Sequence, residues 1–367
     1  MISAYDLPAA DLEERLRAWG EPAYRARQVR DHLWRRGSTY ESMTDLPAAL
    51  RERLADEVPL GIEVVEERVA DGGATRKALL RLGGRHLVEA VLMGYPERVT
   101  VCVSSQAGCA MGCGFCATGQ MGLLGNLSPG EIVAQVAWAR REATRLPDST
   151  PQRLTNVVFM GMGEPLANER NVFAAIARIT DADGMRLGAR HVTLSTVGLA
   201  PGIRRLADAH PQVGLAVSLH AADDETRSRL VPPNDRWPLA ELEAAIAEWR
   251  SRTRRRPSIE WAMIAGENDS DVQARLLAPI ARRLRAHVNL IPLNPTPGWP
   301  TRPSSPARIE AFAAVLERAG VNVTIRDTRG RGIEAACGQL RLEVEDVTRP
   351  DAAAGAPPSR RGPRPGA

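Results

Sequence analysis

From residue 99 onward the chain alternates short apolar runs with amphipathic stretches. The runs VTVCV, TNVVFM, HVTLS, GLAVSL, SIEWAMI, HVNLI and VNVTI are rich in β-branched residues and bounded by turn formers, which predicts buried strands. Between them, apolar residues recur every three or four positions and predict helices. In SPGEIVAQVAWARREA, Ser128 stands at the N-cap, Pro129 at the first helical position and Glu131 at the third. Strand–helix alternation predicts an α/β fold with a parallel sheet under helices, about six units of which curl into a partial barrel. Functional residues then belong at the carboxyl ends of the strands.

The pattern differs ahead of residue 95. DLEERLRAW, RARQVRDHLWRR and LPAALRERLADEV have helical spacing, so residues 1–60 read as a small helical domain with Trp19 and Trp34 as core filler. GIEVVEERV, TRKALLRL and HLVEAVLM, separated by DGGAT and LGGR, read as a short antiparallel sheet over 61–94. It links the helices to a core spanning 95–345. Residues 346–367 are Pro-, Gly- and Ala-rich without apolar periodicity and are expected to form a disordered tail.

Composition narrows the class. The 367 residues are 44% hydrophobic and 25% charged, the balance of an ordinary globular protein. No run of about 18 apolar residues suggests a membrane span, and the polar start lacks the apolar core of a secretory signal. A cytoplasmic location is expected, where clustered cysteines are metal ligands or catalytic thiols before they are disulfides. The net charge is +4 and Lys77 is the single lysine, so the basic residues are almost all arginine. Arginine suits phosphate and base contacts. A GC-rich coding preference is the better account of the bias itself, so basicity permits RNA binding without establishing it.

The chemistry concentrates in CVSSQAGCAMGCGFC, which holds four of the five cysteines. Cys109, Cys113 and Cys116 have the spacing C-x3-C-x2-C directly after a predicted strand, so one loop offers three thiolates to one metal centre. A structural zinc and a four-iron cluster each ordinarily take four protein ligands. Three leave one coordination position open to a substrate or cofactor. Structural zinc remains the competing account, although no fourth ligand lies nearby. Cys102 sits on the preceding strand and Cys337 far downstream in EAACGQL.

The C-x3-C-x2-C loop with Phe115 before its last cysteine resembles the radical S-adenosylmethionine (SAM) superfamily. The longer string CVSSQAGCAMGCGFCATGQ resembles the RlmN-type RNA adenine-C2 methyltransferases, and further matches follow in family order: VFMGMGEPLAN, HVTLSTVGL, AVSLHA, NLIPLNP and VTIRDTRG…ACGQL. The likeness runs over about residues 10–345. A lone CxxxCxxC would indicate only the superfamily.

The resemblance implies a partial (β/α)6 barrel and a set of roles. Cys109, Cys113 and Cys116 would hold one 4Fe-4S cluster, whose open iron takes the amino and carboxylate groups of SAM. Gly163 and Glu164 of GMGEP, Ser195, Ser218, Leu219 and His220 of SLH, and Asn294 of PLNP would contact SAM. Taken singly, Ser195 and His220 are better explained by strand-end hydrogen bonds; within the ordered set of motifs they are not. Adenine C2 is electron-poor and carries no acidic proton, and the family answers with a two-stage reaction. The Cys337 thiolate takes a methyl group from one SAM. A 5′-deoxyadenosyl radical from a second SAM removes hydrogen from it, and the carbon radical adds to C2. Glu89, thirteen residues before Cys102, matches the family's proton acceptor. Cys102 matches the resolving thiol, which leaves a transient Cys102–Cys337 disulfide to be reduced. Every cysteine thereby receives a role.

The implied partners are 23S rRNA near the peptidyl-transferase centre, tRNA through an anticodon-loop adenosine, and an external electron donor such as flavodoxin with its reductase. No membrane is implied, and the chain is expected to be a monomer. The target base must be extruded into the barrel, with Arg25, Arg27, Arg30, Arg35 and Arg36 as candidates for phosphate contact. Two positions depart from the family pattern: Gly125, where arginine is common, and Gly332, where an acid is common. Two rival functions remain, an adenine-C8 rRNA methyltransferase of the related resistance family and a non-catalytic metal-binding RNA-binding protein.

Overall fold

The computed structural model describes residues 3–296, 299, 302–326 and 340–341. Its strands are β1 (Ile62–Ala70), β2 (Thr75–Leu82), β3 (His86–Tyr95), β4 (Arg98–Cys102), β5 (Gln106–Gly108), β6 (Leu123–Asn126), β7 (Asn156–Phe159), β8 (Val192–Thr196), β9 (Gly214–Ser218), β10 (Ser258–Met263), β11 (His287–Pro292) and β12 (Asn322–Ile325). Ten of them form one sheet in the order β1-β2-β3-β4-β7-β8-β9-β10-β11-β12, while β5 and β6 form a separate ribbon.

Within the ten-stranded sheet, every pairing from β4 to β12 is parallel. All seven apolar runs expected as buried strands belong to this array. Helices Pro129–Glu142, Glu169–Thr180, Ala200–Ala209, Leu239–Thr253, Asp271–Leu284 and Pro306–Arg318 lie along the crossovers between successive strands. Sequential order without reversal winds the sheet one way, giving the expected partial (β/α)6 barrel with β12 as an added edge.

The start of helix Pro129–Glu142 follows its sequence signal. Ser128 Oγ accepts from the Glu131 N–H at 3.1 Å, and Glu131 Oε2 accepts from the Ser128 N–H at 2.8 Å. The helix is buried on nearly all sides because it lies between the barrel sheet and the N-terminal helices Ala9–Ala18, Tyr24–Arg30 and Ala48–Glu57. Leu12, Leu16, Val29, Leu33, Leu50 and Leu54 share one core with its Ile132, Val133 and Val136. Polar ties fix the docking. The Asp6 carboxylate accepts from Ser128 Oγ and the Gly130 N–H, each at 2.6 Å, and Arg140 Nη1 donates to Trp34 O at 2.8 Å. Trp19 and Trp34 are partly buried against this core, with Trp34 edge-on to Tyr5 at 5.7 Å.

The three strands read as a short linking sheet are antiparallel, but they continue the barrel's own sheet. β3 pairs antiparallel with β4 from Tyr95↔Arg98 to Val91↔Cys102. The reason is that β4 would otherwise expose a row of unpaired backbone groups on its edge away from β7. Among the described residues, no helix is long and apolar enough to cross a membrane. Residues 346–367 and Cys337 and Gly332 lie outside the described residues.

Candidate active site

The carboxyl ends of the parallel strands enclose a cavity of about 240 Å³. Cys109, Cys113 and Cys116 line it from the loop after β5, Gly163 and Glu164 from the loop after β7, Ser195 from β8, and Ser218 and His220 from the end of β9. Eight of the expected residues, scattered over more than a hundred positions of sequence, therefore face one space.

Cys109 and Cys113 are buried, Cys116 is half-buried, and the three are close enough to influence one another. Burial first, with the neighbouring Glu164 and Cys116 adding to it, pushes the Cys109 thiol up to about 12 against the lowering effect of a hydrogen bond from the Met111 backbone. Burial, then Cys116 and Cys109, push Cys113 up as well. Thiols in such a wall become thiolates when a cation binds them. Among the described residues, no three His, Cys, Asp or Glu side chains are gathered as one metal ion would need. A four-iron cluster is held by thiolates that each reach a different iron, so three thiols spread along one loop fit it better than a single zinc.

Glu164 joins two strand-end loops. Its Oε1 accepts from the Leu166 N–H at 3.0 Å and its Oε2 from the Val197 N–H at 2.9 Å. Burial pushes its carboxyl up to about 7, against the lowering effect of those hydrogen bonds. The neighbouring Gly163 has φ +96°, and a Cβ there would stand 2.5 Å from Gln106 Cβ. Glycine in GMGEP is thus required by close packing on the segment after β4, in addition to any approach to a ligand.

His220 adopts φ 59°, rare for a side chain of its size. Its Nδ1 accepts from the Ala262 N–H at 3.0 Å, and its ring meets Phe115 edge-on at 4.9 Å. Burial first, then Arg227, holds its pKa down near about 3, so the ring is neutral. His220 thereby ties the cysteine loop to β10.

Leu219 is buried beside this wall, with its N–H donating to Glu260 O at 3.1 Å. Asn294 faces a neighbouring cavity of about 430 Å³, which shares only Arg326 with the first. Cys102 is buried at the end of β4, between Val91 and Val158. Glu89 lies on β3, where Oε2 is 3.0 Å from Lys77 Nζ, and both side chains are fully buried. The chain's single lysine is thus the buried partner of Glu89. Glu89 Oε1 accepts from the Arg341 N–H at 2.9 Å, four residues beyond Cys337 in sequence.

Two site residues escaped the sequence reading. Glu260 on β10 accepts from Asn289 Nδ2 at 2.8 Å through Oε1. Its Oε2 faces the cavity without a hydrogen-bond partner, 3.8 Å from Arg326 Nη1. The signal was a lone acid inside the apolar run SIEWAMI. Arg227 is fully buried and donates to Leu219 O at 3.1 Å, Asn234 Oδ1 at 2.7 Å and Val197 O. It connects the loops after β8 and β9, and its cation lies within electrostatic reach of Cys113. In DETRSRL it is indistinguishable from a surface arginine. Arg227→Ala leaves these acceptors unpaired beside a void. It is expected to lower the stability of the cluster-free protein by about 3–4 kcal/mol, read from the midpoint of urea unfolding.

Of the N-terminal arginines, Arg27, Arg30, Arg35 and Arg36 line a surface cavity of about 470 Å³ that also holds Asp31, Asp45 and Asp183. Arg25 is turned instead to Gln28 Oε1 at 2.7 Å. The departure at Gly125 has a local cause. A Cβ there would lie 2.5 Å from His86 Nε2, and that ring is held by Glu131 at 3.2 Å.

Residues 103–277 match the model of the radical SAM superfamily, and residues 3–59 match that of the ribosomal RNA large subunit methyltransferase N-terminal domain. A probable dual-specificity RNA methyltransferase RlmN of Chloroflexus aurantiacus is 50% identical, covering 92% of each chain. Its counterpart in Salinispora tropica is 55% identical over 88% of each. The crystal structure of a radical SAM methyltransferase from Sphaerobacter thermophilus superposes with a TM-score of 0.85 at 48% identity, covering 92% of this chain and 99% of that one. With this fold, this cavity and these relatives, the chain belongs to the RlmN family within the radical SAM superfamily.

Proposed function

We propose that the chain methylates C2 of one adenosine in the peptidyl-transferase region of 23S rRNA and of an anticodon-loop adenosine in tRNA. The observation that carries this reading is the meeting of three loop thiols with Glu164, Ser195, Ser218 and His220 around one cavity. In this reading Cys109, Cys113 and Cys116 hold a 4Fe-4S cluster. Gly163, Glu164, Ser195, Ser218, Leu219, His220 and Asn294 hold SAM. When bound, cluster and SAM supply a 5′-deoxyadenosyl radical for hydrogen abstraction. The high pKa of Glu164 suits a site awaiting an ammonium group, which draws a buried carboxyl back to its charged form.

The remaining steps belong to the chain's own side chains. Cys337 carries the methyl carbon and joins it to C2, Glu89 accepts the C2 proton, and Cys102 attacks the Cys337 sulfur to release the base. The hydrogen bond from Arg341 to Glu89 supports this assignment, because it fastens the segment just after Cys337 to the proposed base. Residues 1–60 grip the RNA, and the barrel of 95–345 carries the reaction together with Glu89 from the sheet extension over 61–94. Electrons come from an external donor of the flavodoxin type, and the protein acts as a cytoplasmic monomer.

Anaerobically reconstituted protein, given SAM, reductant and unmodified rRNA fragment or tRNA transcript, is expected to yield 2-methyladenosine from both RNAs on nucleoside analysis. A methyl group at C8 would replace the regiochemistry, and failure to cleave SAM would remove the enzyme reading altogether.

A further inference from the structure

At the amino ends of β10, β11 and β12, opposite the catalytic cavity, another cavity of about 520 Å³ opens among the helix-to-strand connections. Its lining includes Arg250, Arg254, Arg255, Arg256, Arg282 and Arg285, with no carboxylate and no aromatic ring among the described residues. The N-terminal arginine cavity, by contrast, contains three aspartates.

The adjoining helices do pair their arginines elsewhere. Arg252 lies 3.0 Å from Asp208, and Arg283 lies 2.7 Å from Glu243. Inside the cavity, Arg256 donates to Ala286 O at 3.2 Å and to the Asn322 amide oxygen at 2.8 Å, and Arg255 donates to Gln212 O. The guanidinium groups of Arg250, Arg254, Arg282 and Arg285 make no hydrogen bond or ion pair among the described residues. Each helix C-terminus here offers only roughly half a negative charge, too little to balance six cations. Burial first and then the cavity's Arg256 hold the adjoining His287 below the usual imidazole range. Arg254 and Arg285 sit at φ 59° and 49°, in corners usually given to glycine or asparagine.

We propose that this cavity binds phosphates of the RNA backbone, a further anchoring point on the face of the barrel away from the reacting base. The proposal rests on the reading of the chain as an RNA methyltransferase. Guanidinium forks match phosphate oxygens, and walls without an aromatic ring suit backbone contact better than base stacking. β10 has six residues and spans roughly 20 Å, a distance that a folded RNA can bridge between the two ends of the barrel.

The test compares the full chain with Arg254→Asn/Arg285→Asn, since asparagine tolerates the left-handed backbone. Arg252→Gln serves as a charge control outside the cavity. Binding of a tRNA transcript is measured by fluorescence anisotropy from 50 to 200 mM KCl, with inorganic triphosphate as a separate probe. The double variant is expected to bind about tenfold more weakly at low salt, with a salt slope reduced by about 2, while the control and RNA-independent SAM cleavage are unchanged. Equal RNA affinity and slope in variant and parent would overturn the proposal. Loss of triphosphate binding with RNA binding intact would overturn it too, assigning the cavity to free phosphates. If the unaltered chain binds no RNA, the RNA-methyltransferase reading itself fails and this proposal falls with it.

Discussion

Cys102→Ala is expected to turn the protein from a catalyst into a trap. With Cys337 still able to join its carbon to the base, but no other thiol to open the sulfur bridge, the reaction halts at a covalent protein–RNA adduct. Turnover should fall by more than about a thousandfold, the scale seen when one member of an obligatory set is removed. The adduct should appear as a band that survives denaturing electrophoresis and disappears with nuclease. The fold should tolerate the change, because Cys102 sits between Val91 and Val158 and loses only one sulfur atom. Adding Cys337→Ala should abolish the band. Normal turnover by Cys102→Ala would end the resolving assignment.

The other large effect is expected from Cys113→Ala. Its sulfur packs with Leu230, Val231, Ala262, Ile264 and Leu293, so truncation should cost the apo fold about 1 kcal/mol. Iron content should nevertheless collapse, because two thiols remain where the cluster needs three. SAM cleavage and RNA methylation should then both fall to background. A fully loaded, four-iron protein bearing Cys113→Ala would show that the loop is not the cluster's holder.

The contrast between these two cysteines and Arg227 shows which kinds of information a sequence carries. The thiol loop is local: spacing and chemistry are complete within eight residues, 109–116. The seven strand runs and the capping box at Ser128 are local as well, and each appears in the fold where its periodicity put it. Arg227 and Glu260 depend on what crosses above them. Arg227 becomes a buried tie only because the loops after β8 and β9 converge on it. Glu260 faces a cavity that exists only because five strand ends meet around it.

Periodicity and spacing along the chain thus determined the strand–helix alternation, the barrel class and the trio of thiols, since each depends on neighbours a few residues apart. Tertiary structure alone decided that β1–β3 extend the barrel sheet, that Lys77 faces Glu89, and that six arginines share an unbalanced cavity. Those outcomes turn on which open edge is covered and which charges meet in low dielectric. Both are long-range free energies that no local pattern encodes.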